Sequence, residues 1–515
     1  MVHALAVTDA PWQGDACSLV DAFRAGERSP LEELDATLAA IERSDLNAFS
    51  FLDPERARER AAKADVSLPF GGVPTAVKEL EEVEGWPDTG ASLVFKDRIA
   101  HDTGHSLVRL FGEGGANAFG MTTASEFGGL NVSVTKLNGV THNPWQHGRT
   151  CGGSSSGSAS AVAGGLVTLA TAGDGGGSIR IPAGYTGLLG MKGTFGRITR
   201  APRAYMRPNT VVLGNTSRSV RDAARFFDVT AGIDAYDPTT LPSAGRWERD
   251  LGTQDLKGRK VAIVPNLGGI TLEPGVEERI REEAAALVAE TGMVVVDLDI
   301  SLPSLAAQWM MGNLATLLAE LGPHWPGCAG DLTDEVAIGL YLSQSMYNLH
   351  TASAAEKLRV EANEAMADAF GKVDFVISAT NPGPAFAAEA ATSNPEKDVT
   401  DFFRSSVLGR LGLRGALGGT RVAASVAPKL PNKILDEATK RLPDMVNMGA
   451  LTIISNIYGN PAVSIPAGLV DGLPIGMQVL GRHHEDALLF DVALAVERSN
   501  PWPMVAPAAA ERLAV

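Results

Sequence analysis

The stretch from Cys151 to Pro182, CGGSSSGSASAVAGGLVTLATAGDGGGSIRIP, constrains this chain more than any other. Two glycine–serine clusters, Gly152–Gly157 and Asp174–Ser178, flank an apolar run of small residues, Ala159–Ala172, suited to a buried helix or strand. Glycine and serine in this density also make flexible linkers, but the strongly apolar sequence that follows rules that out. A phosphate-cradling loop needs GxxxxGK[ST], and the lysine of Met191-Lys192-Gly193-Thr194 stands in the wrong context. Gly153-Ser154-Ser155-Ser156-Gly157 fits GxSxG with Ser155 as nucleophile. That elbow must follow a buried strand, and Asn143–Thr150 cannot be one; His324, His350, His483 and His484 remain as formal partners. The last reading is a serine hydrolase with a lysine base. Three glycines before Ser178 leave backbone N–H groups bare, as an oxyanion hole requires, and a buried lysine can be held neutral to accept a proton.

A lysine that can take such a position is present, although most lysines are solvated at the surface. Gly71-Gly72-Val73-Pro74-Thr75-Ala76-Val77 is a short apolar segment that places Lys78 at a strand end, followed by Glu79. Before it, Ser29-Pro30-Leu31-Glu32 carries a capping box and opens a helix with Leu31, Leu34, Leu38 and Ile41 on its inner face. Asp53-Pro54 opens a second helix. A helix from about Ser106 to Gly112 and a strand near Ala116–Met121 follow. His101 and His105 stand four apart, but Gly104 and the lack of a third ligand argue against a metal. Residues 258–300 read as a βαβ unit: strand Lys260–Val264, helix Pro274–Thr291, strand Met293–Leu298. Residues 301–370 read as helices rich in Trp309, Met310, Met311, Tyr341, Met346 and Tyr347, a stripe that reads as core before pocket. Val373–Ala379 reads as a buried strand, and Ala387–Asn447 as a mobile flap near a pocket. Leu451–Leu480 returns to strands and turns, and a last helix covers about Glu485–Glu497.

Composition sets the class. The 515 residues are 45% hydrophobic and 20% charged, enough for a large core. The net charge of −16 argues against a surface that grips nucleic acid. Three cysteines without a CxxC point to a reducing compartment. No apolar run is long enough to span a membrane, and the N-terminus does not read as a signal peptide, so the expectation is a cytoplasmic protein.

These residues resemble the amidase signature family. Gly152–Ser158 and Asp174–Pro182 match its GGSS(G/S)GS and D-x-GGSIR-x-P motifs, with 24 positions from Ser154 to Ser178. Gly72–Glu79, Asn143-Pro144-Trp145, Asn460-Pro461-Ala462 and Gly472–Gln478 match further segments, so the likeness spans about residues 15–500. The resemblance implies an α/β fold with a large twisted mixed β-sheet covered by helices on both sides. It implies a single domain over 1–515: N-terminal helices to about 66, a catalytic core over about 67–300 and 451–500, and a variable region over about 301–450. It further implies Ser178 as nucleophile, Ser154 as relay serine in a cis peptide, and Lys78 as base. The N–H groups of Gly175, Gly176, Gly177 and Ser178 would form the oxyanion hole. Ser155 would hydrogen-bond Lys78, and Asp174 with Arg180 would brace the nucleophile loop. The sequence departs from the common pattern at Ser156, Gly173, Gly175, Met121-Thr122-Thr123 and Gly193, none of them a triad member.

The implied activity is hydrolysis of an apolar aryl or alkyl amide, with ester or carbamate side activity. The alternative is the glutaminase-type subunit of a tRNA-dependent amidotransferase. A catalytically dead binding protein is disfavoured by the intact Lys78, Ser154 and Ser178. No cofactor, metal, nucleic-acid or membrane partner is expected; the partner is a small-molecule amide, and a homodimer is allowed.

Overall fold

The computed structural model describes residues 10–203, 210–304, 306–391 and 449–513. In chain order the strands are β1 (Phe49–Leu52), β2 (Pro74–Lys78), β3 (Asn117–Thr122), β4 (Val134–Thr135), β5 (Gly139–Val140), β6 (Leu169–Asp174) and β7 (Leu189–Lys192). They continue with β8 (Val212–Ser217), β9 (Lys260–Ile263), β10 (Val294–Val295), β11 (Phe375–Ala379), β12 (Ala462–Val470) and β13 (Leu473–Leu480). Eleven of them form one sheet in the order β1-β3-β2-β6-β8-β7-β12-β13-β11-β9-β10, while β4 and β5 make a separate hairpin. The sheet is mixed. The β3-β2-β6 and β11-β9-β10 runs are parallel, and the strands between them pair antiparallel.

Both faces of the sheet are covered. In a strand successive side chains point to opposite faces. Accordingly Val77, Leu169 and Ala118 join the larger buried cluster, while their neighbours Ala76, Ala170 and Phe119 join a second one. The second cluster includes the helix Ser156–Ala163, all of it buried, as the small-residue run predicts. Alanine, glycine and serine let this helix lie close to the sheet. A β-carbon at Gly157 would fall 2.5 Å from the Ala48 carbonyl oxygen and the Thr123 nitrogen.

Three expectations change in detail, one of them at Leu451–Leu480, where the first part is the helix Ile453–Tyr458 rather than a strand or turn. The helix Pro30–Arg43 carries the capping box of Ser29 and Glu32, but Leu31 is exposed. The buried face turns towards Glu33, Leu34, Ala36, Thr37 and Ala40, because Glu33 is drawn in by Arg28 at 2.6 Å and by the Trp12 N–H at 2.9 Å. The strand expected over Met293–Leu298 shrinks to β10. It lies at the sheet margin, paired on one side only with both residues exposed, so nothing extends it.

The helices Ala306–Leu321, Asp334–Met346 and Leu349–Lys372 confirm a helical segment after residue 300. Most of the flap expected over Ala387–Asn447 lies outside the described residues. No described helix is long and apolar enough to cross a membrane.

Candidate active site

The site forms where the parallel strands β2 and β6 end side by side. Lys78 is the last residue of β2 and is 3% exposed. Its Nζ donates to Ser154 Oγ at 2.8 Å and to the Gly173 carbonyl at 3.4 Å. Its backbone N–H donates to Thr171 Oγ1 at 3.0 Å. Burial pushes the amine below the usual lysine range, while Glu81 and Asp174 pull it back up. A lysine so placed can exchange a proton with a hydroxyl at physiological pH.

Ser154 follows a cis peptide bond with Gly153, as the resemblance implies. Ser155, the elbow candidate, precedes the helix Ser156–Ala163 and follows no strand. Its hydroxyl donates to the Gly173 carbonyl at 3.2 Å rather than to Lys78, so it reaches the lysine only through a shared acceptor. Among the described residues no histidine hydrogen-bonds Ser155. His483 bonds the Tyr458 carbonyl, and His324 meets Phe95 edge to face.

Ser178 sits 6% exposed at the end of the second glycine cluster. Among the described residues no hydrogen bond joins it to Ser154. The loop before it is shaped by Asp174, whose Oδ1 accepts the Gly177 N–H at 2.7 Å. Three of the four N–H groups expected in an oxyanion hole, those of Gly175, Gly176 and Ser178, have no acceptor among the described residues. The fourth is taken. Gly177 also has φ +128, and a β-carbon there would strike Thr452 and the Ile181 side chain, so only glycine fits.

Asp174 is held in turn by Arg180 in a forked pair, Nε to Oδ2 at 2.9 Å and Nη2 to Oδ1 at 3.0 Å, both side chains fully buried. Arg180 spends its remaining donors on Gln478 at 2.6 Å, Asn456 at 2.6 Å, Ser455 at 2.7 Å and the Thr452 carbonyl at 3.0 Å. Burial alone would raise the Asp174 carboxyl, but Arg180 overrides it and holds the group well below the usual range. The brace expected of Asp174 and Arg180 is therefore present, anchored on β13 through Gln478.

Of the Met and aromatic stripe, Trp309 reaches this loop. Its Nε1 donates to the Gly175 carbonyl at 2.8 Å, and its ring lies where a β-carbon on Gly176 would fall. Tyr341 packs on Trp325 instead, Met311 pairs with Met346, and Tyr347 is exposed. Ile453 and Thr452 complete the wall beside Gly176 and Gly177. Sequence reasoning missed these two and Thr171, because their contacts join segments far apart in the chain.

His105 gives Nδ1 to Asp234 at 2.8 Å, and His101 stays exposed. Asp15, Cys17 and Asp222 lie close enough to share an ion, but both carboxylates already cap the N-terminus of the helix Ala16–Ala25. Asp222 accepts the N–H groups of Ala16 and Cys17, and Asp15 that of Ser18. Lys192 is likewise structural: its Nζ bonds the Asn460 carbonyl at 2.6 Å, and burial with Arg180 nearby pushes it down to about 7.

A family model described as Amidase matches residues 32–408. The chain belongs to the amidase family. It is 28% identical over 518 residues to a glutamyl-tRNA(Gln) amidotransferase subunit of Lacticaseibacillus paracasei, covering 94% of this chain and 96% of that one. Among solved structures it is similar to a bacterial aryl acylamidase of the amidase signature family, with TM-score 0.80, 24% identity, and 97% and 98% of the two chains covered. It is also similar to 6-aminohexanoate cyclic dimer hydrolase, with TM-score 0.80, 25% identity, and 97% and 99% covered. The amidase signature fold and an amide-hydrolysing enzyme follow from these likenesses.

Proposed function

We propose that this amidase-family chain cleaves a C–N amide bond through an acyl-enzyme on Ser178. The observation that carries this reading is the 2.8 Å contact of Lys78 Nζ with Ser154 Oγ, beside a loop with three unspent N–H groups. Ser178 Oγ attacks the carbonyl carbon as its proton passes to Ser154 Oγ and the Ser154 proton passes to neutral Lys78. The carbonyl electron pair moves to oxygen, facing the N–H groups of Gly175, Gly176 and Ser178, each worth about 3 kcal/mol to the transition state. When the C–N bond breaks, Ser154 returns a proton to the leaving nitrogen. Amides need this step because an amide anion leaves poorly. Water repeats the sequence and releases the acid.

For the substrate, the curated relative weighs towards glutamine's side-chain amide, with this chain as the amidase component that hands ammonia to a different protein. That reading replaces the homodimer with an unlike partner chain. The other reading, an apolar aryl or alkyl amide, is supported by the wall of Trp309 and Ile453 beside the glycine loop. Three free, buried cysteines support a reducing compartment such as the cytoplasm.

The deciding experiment has two arms. Ser178→Ala abolishes labelling by a fluorophosphonate; retained labelling overturns the acyl-enzyme. The purified protein is then assayed on glutamine, an anilide, a fatty amide, a linear nylon oligomer and an aryl carbamate. Ammonia release from glutamine alone, with a second protein co-purifying, selects the first substrate reading, and anilide turnover without glutaminase activity selects the second.

A further inference from the structure

Glu81 is an ionisable group beside the proposed base that the scheme above leaves unused. Its N–H donates to the Lys78 carbonyl at 2.8 Å, so the turn after β2 folds back on the strand end. There its Oε1 accepts the Thr171 hydroxyl at 2.5 Å, while the same Thr171 oxygen accepts the Lys78 N–H. One threonine of β6 thus ties the carboxylate to the residue that carries the amine. Among the described residues Lys78 makes no direct ion pair, so the charges act through space.

The other charges around Lys78 are committed elsewhere. Asp174, from β6, is locked to Arg180, with Lys192 behind it. Glu79 turns away to Thr89 at 2.7 Å and Asn138 at 2.7 Å. Among the described residues Glu81 has no cation of its own but Lys78. Burial drives the Glu81 carboxyl up and the Lys78 amine down, and each charge pulls the other back.

We infer that Glu81 is a positioning residue whose carboxylate, fixed by Thr171, stabilises the ammonium that Lys78 becomes during acylation. The inference rests on Lys78 being the base. A proton that leaves Ser178 by way of Ser154 creates a cation in the interior, and such a charge is costly unless an opposite one is near. Glu81 is placed to oppose it in both acylation and deacylation. No net proton is consumed: the one held on Lys78 returns through Ser154 to the leaving nitrogen.

The test reads the rate of fluorophosphonate labelling of Ser178 across neutral and alkaline pH. Wild type rises as Lys78 loses its proton. In Glu81→Gln the ammonium is less stabilised, so the rise moves about one unit towards lower pH and the plateau falls about ten-fold. Glu81→Asp keeps the charge and moves the curve less than Glu81→Gln does. A role in folding alone would lower the rate without moving the curve, so coincident wild-type and Glu81→Gln midpoints overturn the inference. Should Glu81→Gln fail to fold, Glu81→Met is read in its place with the same expectation. Lys78→Met separates the two levels. If it labels like wild type, the base assignment falls; if it is silent while the Glu81→Gln curve stays put, the Glu81 inference alone falls.

Discussion

Lys78 Nζ and Ser154 Oγ stand 76 positions apart in the chain and meet at 2.8 Å inside the protein. The contact exists because β2 and β6 run parallel and end together, while the loop carrying Ser154 folds over both ends. Besides Ser154, Lys78 Nζ reaches only the Gly173 carbonyl among the described residues, at the longer distance of 3.4 Å. A hydroxyl that accepts from an amine still has its own proton to give, so this pair can carry a proton in either direction.

That relationship predicts a split between substrates for Ser154→Ala. An ester has a good leaving group and needs little proton delivery, whereas an amide needs it fully. The variant should lose roughly 100-fold or more in kcat on an anilide and distinctly less on a 4-nitrophenyl ester. Steady-state kinetics on the two substrates measure it. Equal losses would mean that Ser154 holds the loop rather than moves the proton.

Lys78 predicts the pH dependence. The proposed base works only when neutral, and the neutral fraction grows as pH rises. Burial lowers the pKa of the amine, so kcat/KM should climb with pH and level off below the range of a free lysine. Lys78→Ala should flatten the profile at a low rate. A wild-type profile that climbs only in the range of a free lysine would contradict the buried base.

The Asp174–Arg180 pair predicts stability. Both side chains are fully buried, and removing one leaves an uncompensated charge. Arg180→Met should therefore cost about 3–5 kcal/mol in urea unfolding. The pH sign follows from the depressed carboxyl. Its contribution is fully present above the unfolded value near 4 and is lost as pH falls further towards the folded value. Acid unfolding of wild type should begin in that window, and the Arg180→Met variant should show less of this pH dependence.

The residues proposed for the chemistry are legible because they sit in contiguous motifs. The Gly152–Ser158 and Asp174–Pro182 segments identify both serines, the brace and the glycine loop, and Lys78 stands at the end of a short apolar run. What the motif could not reveal is which N–H groups are spent. Gly177 looks equivalent to Gly175 and Gly176 in sequence, yet Asp174 takes its proton because the loop turns back on the carboxylate. Thr452, Ile453 and Trp309 were equally hidden as partners of the loop, since their contacts depend on how distant helices close over it. The exposed Leu31 marks a different limit: the spacing of leucines was right, but a buried Glu33–Arg28 pair rotated the face.

The glycine loop predicts the effect of Gly177→Ala. At φ +128 an alanine is strained, and its β-carbon would meet Thr452 and lie 2.6 Å from Ile181 Cδ1. Neither neighbour can withdraw freely, because Thr452 Oγ1 also holds the Gly176 carbonyl at 2.6 Å. The loop must shift, and Ser178 with it. Fluorophosphonate labelling should fall by roughly 100-fold or more, since small misplacements cost that much. Near-normal labelling would show that the loop tolerates a different path.

Trp309 joins the helix Ala306–Leu321 to the catalytic loop and predicts how recognition and chemistry separate. Its indole N–H fixes the Gly175 carbonyl, and thereby the tilt of the peptide whose N–H belongs to Gly176, while its ring forms part of the wall. Trp309→Phe removes the hydrogen bond and keeps most of the wall. A net loss of about 1 kcal/mol for one such bond translates to roughly five-fold in kcat, with KM little changed. Trp309→Ala removes both and should raise KM for an anilide while altering KM for glutamine much less. Kinetics of the two variants on both substrates decide the point. If Trp309→Phe matches wild type in kcat, the indole N–H has no part in shaping the loop. If Trp309→Ala raises KM for glutamine as much as for the anilide, the wall is no guide to the substrate.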